Sequence, residues 1–383
     1  MKKIFLVTIV FMTSYHLLAQ FENLTFGTDS TLDVVSWNIE HFPKSGQTTI
    51  DLVTQIVEAL DADIIAIQEV SAETWLDQLV ENLDGWDGYY AYDQYVGLAY
   101  IYKTEVIIDP EIFEIYTEKG RELPRSPLVM EMNYAGEQYV IINNHLKCCG
   151  DGYMNIDDPW DEETRRFDAC NLIDEYIMDS HPESKVILLG DLNDILTDSP
   201  ANNVFQVFID NPDSYSFVDM GIAEGSNSDW SYPTWPSHID HILITDELFE
   251  EYENSGSAVE CIRLDDYFNG WYAYDNDVSD HRPVGVKINT NASLSVAEVA
   301  LNDSFVNYPN PFINRTTFSF APTSNKTEIV IYNMQQQLIE QFHIDNYQSS
   351  IEWNTVGLEE GVYYAKFIVN GEVMSVIKLI AIE

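Results

Sequence analysis

Positive charge is what this sequence has least of. Its 383 residues include 18 lysines and arginines against 64 aspartates and glutamates, so the formal net charge at pH 7 is -46. A surface this acidic repels polyanions at long range, and a phosphate ligand would need local cations or a bound metal to offset the field. The balance argues against a tight nucleic-acid-binding module, and less strongly against an enzyme that only needs turnover.

Long apolar runs are missing after the N-terminus. No segment beyond residue 20 approaches the roughly 18 uninterrupted apolar residues that a membrane span requires. Residues 1–20 combine a basic start, an apolar stretch and the small residue Ala19, which is typical of a bacterial signal peptide. A buried N-terminal strand is the alternative. We expect an exported, soluble, monomeric mature protein with no transmembrane segment.

Cysteine is scarce. The chain has four cysteines, and their spacing lacks the paired Cys-x-x-Cys pattern of a zinc site: Cys148, Cys149, Cys170 and Cys261. An exported protein meets an oxidising environment, so we expect disulfides with a structural role. Four cysteines allow three connectivities, and the sequence leaves the pairing open.

Apolar residues are plentiful enough for a folded core. Hydrophobic residues make up 45% and aromatic residues 13% of the chain, which is unlike an acidic disordered protein. Eight short runs have the β-branched or aromatic character of strands: 34–37, 64–68, 98–102, 128–132, 139–143, 186–189, 239–244 and 283–288. Three stretches have helical spacing of apolar positions: 48–60, 72–82 and 163–178. Because several neighbouring strands lack a helix between them, the pattern predicts two packed mixed β-sheets flanked by helices, a four-layered α/β sandwich.

The C-terminal part of the chain has a different pattern. Residues 289–304 are small and polar and read as a linker, and the strand-like runs beyond them lack helical spacing: 317–320, 328–332, 350–353, 362–369 and 373–380. Asn370-Gly371 is a hairpin-turn signal between the last two runs. We predict a signal peptide at 1–20, a catalytic domain at 21–290, a linker at 291–305 and a small all-β sandwich at 306–383.

Polar clusters follow several predicted strands, where loops can gather groups from distant parts of a chain. Asn38 ends the first strand and alone would be a strand cap or turn residue. Glu69 follows the apolar strand 64–67, where a carboxylate is costly unless it is paired or bound to a metal. His145 ends another strand; a histidine there can transfer protons near neutrality, although a lone one is more often structural.

Two further clusters carry acids beside amides or histidines. Gly190 follows a strand and permits a sharp turn that would project Asp191 and Asn193 together, although the motif GDLND could be an ordinary turn. The motifs SHIDH (237–241) and SDHRP (279–283) each place an acid beside a histidine. That combination can orient an imidazole and hold a hard cation through oxygen.

The order of these clusters resembles the endonuclease/exonuclease/phosphatase superfamily, which includes pancreatic deoxyribonuclease, apurinic/apyrimidinic endonucleases and neutral sphingomyelinases. The resemblance covers roughly residues 32–288. It implies that Glu69 is the principal ligand of Mg²⁺ or Ca²⁺, with Asn38 and Asp280 completing or supporting the site.

The same resemblance assigns the remaining roles. His145 would contact the phosphate and could protonate the leaving oxygen, while Asp191 would orient or deprotonate the attacking water or hold a second metal. Asn193 would fix the phosphate. His281 would be a phosphate ligand and acid/base whose tautomer is set by Asp240.

Two positions fit the resemblance less firmly. Arg125 matches a family arginine near the substrate phosphate, although a surface salt bridge would explain it nearly as well. His238 stands where family members commonly carry arginine, which puts local substrate contacts in doubt but leaves Asp240 assigned. Independently of the family, a donor set rich in carboxylates and amides and free of cysteine favours Mg²⁺, Mn²⁺ or Ca²⁺ over zinc.

The last 77 residues resemble the sorting domain of Bacteroidetes type IX secretion. The domain opens with the motif NYPNPF at 307–312, which is followed by GVYY at 361–364 and KLI at 378–380. A generic β-sandwich binding module is the alternative. The resemblance implies contact with the type IX secretion machinery and export through the outer membrane to the cell surface or medium, and it leaves open whether the domain is cleaved.

Taken together, the motifs predict a secreted, metal-dependent phosphodiesterase, with an extracellular nuclease acting on DNA or RNA as the first hypothesis. A sphingomyelinase-like phospholipid headgroup phosphodiesterase and a phosphomonoesterase are alternatives within the family. A non-catalytic surface adhesin that keeps the fold is an alternative of another class. The apparent presence of every catalytic position argues against the adhesin.

Overall fold

The computed structural model describes residues 20–290, 305–320, 326–333, 337–344, 348–358, 360–369 and 372–382, with the backbone alone at 372–374. The chain divides into two compact units, Met1–Ala292 and Ser293–Glu383. Residues 1–19 of the predicted signal peptide, most of the predicted linker and the Asn370-Gly371 turn lie outside the described residues.

The first unit contains twelve strands: β1 (Leu32–Phe42), β2 (Ile64–Val70), β3 (Trp86–Ala91), β4 (Gly97–Lys103), β5 (Glu111–Glu114), β6 (Leu128–Tyr134), β7 (Glu137–His145), β8 (Lys185–Asp191), β9 (Tyr215–Phe217), β10 (Asp240–Thr245), β11 (Ala258–Cys261) and β12 (Val284–Ile288). Its helices are α1 (Gln47–Leu60), α2 (Glu73–Glu81), α3 (Glu162–Ser180), α4 (Gln206–Ile209), α5 (Met220–Ala223), α6 (Phe249–Glu253) and α7 (Trp271–Asp277). Short 3-10 turns occupy Asn227–Asp229, Asp246–Leu248 and Leu264–Tyr267.

These strands form two six-stranded mixed sheets. The first has the order β11-β12-β1-β2-β4-β3 and the second the order β5-β6-β7-β8-β10-β9. Each sheet has one parallel pair near its centre, β1 with β2 and β7 with β8, and its other neighbours are antiparallel. All eight predicted strands are present, and they are the interior strands. The four strands that the sequence did not indicate, β3, β5, β9 and β11, are the sheet edges.

The apolar residues of the interior strands are buried on both faces of each sheet. Val34 and Ile64 of the first sheet meet Ile141 of the second in a core between the sheets. On the outer faces, α1 and α2 cover the first sheet and α3 covers the second. Strands covered on both faces read as continuous apolar runs. The layers are therefore helix, sheet, sheet and helix, which confirms the predicted four-layered α/β sandwich.

A buried polar contact joins the two sheets. Gln68 on β2 donates a hydrogen bond to the Asn143 side chain on β7 at 2.8 Å, and the Asn143 amide donates to the carbonyls of Ile67 and Ala99 at 3.1 and 3.0 Å. A buried amide is costly unless it is hydrogen-bonded, so this pair favours one relative position of the sheets. Glu69 directly follows Gln68 in the chain, and His145 lies two residues after Asn143.

The second unit is all-β. Its strands are β13 (Val306–Tyr308), β14 (Arg315–Ser319), β15 (Thr327–Asn333), β16 (Leu338–Ile344), β17 (Ser350–Asn354), β18 (Gly361–Val369) and β19 (Glu372–Ala381). They form an antiparallel three-stranded sheet, β13-β14-β17, and an antiparallel four-stranded sheet, β16-β15-β18-β19. Phe318 and Trp353 of one sheet share a core with Ile329 of the other, which confirms the predicted all-β domain. None of the helices in the described ranges has the length and hydrophobicity that crossing a bilayer requires.

Candidate active site

The candidate site lies where the parallel pair of each sheet ends. In the first sheet Asn38 is in register with Gln68, next to Glu69. In the second sheet His145 is in register with Asp191, which is also opposite Asp240 on β10. Parallel strands end at the same edge of a sheet, and ligand sites form at such edges. The topology thus brings side chains from five strand ends or adjoining loops together.

Asn38 connects the two sheets within the site. Its side-chain amide donates to Oδ2 of Asp191 at 3.0 Å and to Oε1 of Glu69 at 3.4 Å. Glu69 has a φ of 66°, which is uncommon for a residue with a side chain, and its Oε2 accepts the backbone N–H of His41 at 3.1 Å. Backbone strain of this kind persists only where the surroundings impose it, and it is often found at functional sites.

The end of β8 fixes Asp191 through a glycine. Gly190 has a φ of 144°, and a Cβ atom there would lie 1.9 Å from the backbone oxygen of Asn144 on the neighbouring strand. The glycine is needed for this close approach, which is more specific than the turn expected from the sequence. Beyond it, Oδ1 of Asp191 accepts the Asn193 N–H at 3.1 Å, and the Asn193 side chain donates to the carbonyl of Leu146 at 3.3 Å.

His281 is held by the residues around it. Its Nδ1 lies 2.8 Å from Oδ2 of Asp240, and its Nε2 lies 3.9 Å from an oxygen of each of Asp191 and Asp280. Ser279 accepts the backbone N–H of His281 at 3.0 Å and donates to the backbone oxygen of Asn38 at 2.7 Å. The serine of the SDH motif therefore ties His281 to the first sheet.

His145 and Arg125 complete the surroundings of Asp191. His145 Nε2 is 3.4 Å from Oδ2 of Asp191 and 3.8 Å from Oε1 of Glu69. The Arg125 guanidinium donates a hydrogen bond to the Leu146 carbonyl at 3.5 Å. The same carbonyl accepts the hydrogen bond from the Asn193 side chain. Burial, together with the positive charges of Arg125 and His281, lowers the pKa of His145 well below its usual value. Its imidazole is therefore neutral.

The acids and His281 influence one another. Burial, reinforced by the Asp240 and Glu69 carboxylates, raises the pKa of Asp191 to about 7. Burial and the neighbouring acids Glu40 and Glu69 raise the pKa of Asp280 to about 6. Burial lowers the pKa of His281, but Asp240 and Asp191 outweigh this effect and raise it to about 10. Crowded carboxylates of this kind favour the presence of a cation, which would lower their mutual repulsion.

The donors present fit a hard divalent cation. Two buried oxygens of the site, Asn38 Oδ1 and Asp240 Oδ1, have no hydrogen-bond partner within the described part of the chain. Buried polar atoms are normally paired, so such oxygens suit a ligand that the protein itself does not supply. With the carboxylates of Glu69 and Asp280, the set consists of the oxygen donors that Mg²⁺, Mn²⁺ and Ca²⁺ prefer. Asp191, Asp240 and His281 also offer ligand atoms within 4.8 Å of one another.

A second acid–histidine cluster lies behind the site and has a different character. Asp219 Oδ2 is 2.9 Å from Nε2 of His238 and 2.6 Å from Nδ1 of His241. The other ring nitrogens face the N–H of Ser231 and the carbonyl of Asp194, at 3.3 and 2.9 Å. Because every imidazole nitrogen already has a protein partner, this cluster is a structural network. His238 is buried in it and both of its ring nitrogens have protein partners, so its side chain has no free nitrogen to offer a substrate.

Several residues that support the site carried no usable signal in the sequence. Ser231 accepts the backbone N–H of Asp240 at 3.3 Å, and the ring of Tyr232 lies 4.8 Å from that of His281. Tyr274 donates to the carbonyl of His281 at 2.6 Å. These contacts depend on which loop packs behind which strand, and no local motif marks them.

Comparison with known families agrees with this geometry. The model of the Endonuclease/Exonuclease/phosphatase family matches residues 35–281. The chain belongs to this family. The model of the secretion system C-terminal sorting domain matches residues 307–383. This second match indicates export through the outer membrane, to the cell surface or as a secreted protein. No curated protein sequence matches the chain at a significant level.

The solved structures that are similar to this chain have low sequence identity to it. D. rerio TDP2, described as complexed with a single-strand DNA product, is 13% identical with a TM-score of 0.51, over 68% of this chain and 100% of that chain. The endonuclease/exonuclease/phosphatase from Beutenbergia cavernae is 15% identical with a TM-score of 0.48, over 92% and 100%. The human Nocturnin catalytic domain, described with a bound sulfate anion, is 14% identical with a TM-score of 0.46, over 67% and 93%. At 13% identity the likeness to D. rerio TDP2 concerns the fold alone.

Proposed function

We propose that this member of the endonuclease/exonuclease/phosphatase family is a divalent-metal-dependent phosphodiesterase that cleaves nucleic acid outside the cell. The observation that carries the proposal is the arrangement around Asn38. Its amide contacts both Glu69 and Asp191, while its buried Oδ1 has no partner among the described residues. A cation held there would lie between the acid at the end of β2 and the acid at the end of β8.

Glu69, Asn38 and Asp280 would hold the metal. A bound Mg²⁺, Mn²⁺ or Ca²⁺ would neutralise phosphate charge and polarise the phosphorus–oxygen bond. Glu69 is pre-oriented by the His41 N–H, and Asn38 by its two hydrogen bonds to Asp191 and Glu69. Ligands held by neighbouring groups in this way need little reorganisation when the metal binds.

Asp191 would orient or deprotonate the attacking water, or hold a second metal. One of its oxygens accepts from Asn38 and lies near His145 and His281, and its other oxygen accepts the Asn193 N–H. Asn193 would fix the phosphate beside it. A carboxylate supported by amide donors on two sides has a fixed direction, which a base acting on one water molecule requires.

His281 and His145, which both lie near Oδ2 of Asp191, would contact the phosphate. Nδ1 of His281 faces Asp240, so its Nε2 is free to donate to a phosphate oxygen and transfer a proton there. His145 is neutral and would act as a hydrogen-bond donor to the phosphate or to the leaving oxygen. Donors aimed at developing negative charge give a large part of catalysis in reactions of this type.

Nucleic acid is favoured as substrate by a cleft beside Arg125. The cleft has a volume of about 160 Å³ and is lined by Arg125, Ser126 and Tyr92, together with the acids Asp93 and Glu114. Tyr92 and Tyr95 lie in the loop between β3 and β4, and both residues are 77% exposed. This loop leads to Gly97, the first residue of β4, which pairs with Val70 of β2. Exposed aromatic rings stack on unpaired bases, and an arginine can contact the phosphate. A phospholipid headgroup is the second candidate, because a net charge of -46 opposes a polyanion and aromatic rings also suit a membrane interface.

A substrate panel tests the proposal. The purified chain is incubated with Mg²⁺, Mn²⁺ or Ca²⁺ on single-stranded DNA, plasmid DNA, RNA, sphingomyelin vesicles and a chromogenic phosphodiester. We expect cleavage of nucleic acid that is abolished by chelation and by His281→Ala, and unchanged in His343→Ala, an exposed histidine of the second unit. Hydrolysis of sphingomyelin alone would replace the nuclease by the lipid enzyme. No activity on any substrate would favour the non-catalytic adhesin.

A further inference from the structure

The four cysteines fall into two classes. Cys170, on α3, is buried in the core between that helix and the second sheet. Cys261, at the end of β11, is buried in the core between the two sheets. The second sheet separates these two cores, so the two thiols cannot meet without unpacking it. Burial raises the pKa of both thiols well above the ordinary value, which keeps them protonated and unreactive.

Cys148 and Cys149 differ from them in exposure and position, although the contact with the Cys148 sulfur and partial burial raise the pKa of Cys149 as well. They are consecutive, Cys149 is exposed, and their sulfur atoms lie 2.9 Å apart. Cys149 has a φ of 73°, so the backbone bends between the two residues and places both side chains on the same side. Within the described residues, no other cysteine is positioned to compete for either sulfur.

Buried charged groups hold the chain around this pair. Arg166, on α3, donates through Nη1 to the carbonyls of Lys147 and Cys149, both at 2.7 Å. Gly150 has a φ of 116°, and a Cβ atom there would lie 2.1 Å from a carboxylate oxygen of Glu163, which also accepts the Gly152 N–H at 2.7 Å. Arg166 and Glu163 are each 2% exposed. The position of the two cysteines is therefore imposed by the fold and needs no bond between them.

We propose that Cys148 and Cys149 form a vicinal disulfide, a reversible redox modification site in the loop that follows β7. The Cys149 thiolate attacks a disulfide oxidant, such as a protein disulfide or glutathione disulfide, and one thiol leaves. The Cys148 thiolate then attacks the Cys149 sulfur, the S–S bond forms, and the second thiol leaves. The two cysteines lose two protons and two electrons, and the electrons reduce the oxidant disulfide to its two thiols.

The bond should be easy to reduce. Neighbouring Cα atoms in a trans chain are about 3.8 Å apart, whereas ordinary disulfides join Cα atoms roughly 4.4–6.8 Å apart. A bond outside the usual range is strained and therefore reduced more readily than a structural disulfide. The site also borders the catalytic residues, because the Leu146 carbonyl, two residues before Cys148, accepts from Asn193 and Arg125.

Mass spectrometry of the full chain tests the proposal. Trypsin cleaves after Lys147 and Arg165, so residues 148–165 form one peptide that holds both cysteines and neither of the others. The native protein is treated with glutathione disulfide, alkylated with iodoacetamide under denaturing conditions and digested. We expect this peptide to be unalkylated and lighter than the dithiol by two hydrogen atoms. After mild reduction with glutathione under native conditions, we expect two alkyl groups on it and an unchanged circular dichroism spectrum.

Two variants complete the design. Cys149→Ser should leave the peptide able to carry one alkyl group or a mixed disulfide with glutathione, and Cys170→Ser should leave the intrapeptide bond unchanged. Circular dichroism of each variant checks that it is folded. Two alkyl groups on the oxidised wild-type peptide would overturn the proposal, as would a cross-link from this peptide to Cys170, to Cys261 or to a second chain.

Discussion

Nδ1 of His281 lies 2.8 Å from Oδ2 of Asp240, although the two residues belong to separate strand ends of different sheets. The contact is buried, and it leaves Nε2 of His281 as the ring nitrogen that points toward Asp191 and Asp280. One carboxylate thereby decides which ring nitrogen of His281 is left without a hydrogen bond to it and faces Asp191 and Asp280.

Replacing that carboxylate tests its role. We expect Asp240→Asn to lower kcat/KM about 100-fold, because the neutral amide of asparagine no longer supplies the negative charge that holds the proton on Nδ1 of His281. We expect His281→Ala to lower it about 10²–10⁴-fold. The double variant should be little worse than His281→Ala, since residues that act as a unit are not additive. Steady-state kinetics measure this. Losses that multiply in the double variant would show that the two residues act independently.

We expect metal binding to depend on Glu69. Glu69→Gln keeps the size of the side chain and removes its charge, so we expect the affinity for Mn²⁺ to fall at least about 100-fold. Isothermal titration calorimetry gives the dissociation constants. Glu58→Gln, which removes an exposed charge on α1, is the matched control and should bind as the wild type does. Equal affinity in both variants would place the metal elsewhere.

Gly190 has no room for a side chain. A Cβ atom would lie 1.9 Å from a backbone oxygen of β7, and its φ of 144° is unfavourable for alanine. We expect Gly190→Ala to lower the free energy of unfolding by at least about 3 kcal/mol. Gly221→Ala on α5 has open space around the new methyl group and should change it by no more than about 0.5 kcal/mol. Urea denaturation compares the two variants, and equal stabilities would contradict the packing described here.

The Asp219–His241 pair should stabilise the fold in a defined pH range. Nε2 of His241 faces the Asp194 carbonyl, which can only accept, and Nδ1 faces the Asp219 carboxylate, so both nitrogens carry protons. Burial lowers the pKa of His241, but the carboxylates of Asp219 and Asp240 raise it more. Burial alone would raise the pKa of Asp219, but the neighbouring His241 and His238 outweigh this effect and hold it well below its usual value. Removing one partner of a buried pair costs about 3–5 kcal/mol.

The pH dependence of Asp219→Asn checks this pair. The stabilising contribution of a raised histidine pKa is complete below the unfolded value of about 6.5 and is lost as the pH rises through the folded value. The stabilising contribution of the lowered Asp219 pKa is present above the unfolded value of about 3.9, and it is lost only as the pH falls from there toward the folded value. We therefore expect the deficit of the variant in free energy of unfolding to be largest near pH 5–6 and to shrink toward pH 9. A deficit that grows with pH would mean that His241 is neutral.

The sequence predicted interior strands well and edge strands poorly. Strands such as β1 and β2 are buried on both faces and read as apolar runs, whereas β5 and β11 are short and half exposed. The polar side chains of an edge face solvent, so no alternation or apolar run marks them. The positions of Asn38, Glu69, His145 and Asp191 could be proposed because each one lies at or just beyond the end of the apolar run of an interior strand.

The remaining parts of the site depend on tertiary packing. Asp219 follows the short edge strand β9, and nothing near it in the chain indicates that His238 and His241 will meet it. The φ of 66° at Glu69 is likewise imposed by neighbours from other parts of the chain. Burial creates these contacts, and a single sequence does not show which loop will cover which strand.

The most direct test of the account is to locate the cation itself. Crystals grown with Mn²⁺ are measured at the manganese absorption edge, and an anomalous difference map is calculated. We expect a peak within about 2.0–2.6 Å of carboxylate oxygens of Glu69, close to Asn38 Oδ1 and Asp280. A peak at the Asp219–His238–His241 cluster instead, or no peak near Glu69 at saturating Mn²⁺, would contradict the claim that these strand ends build one metal-dependent phosphoesterase site.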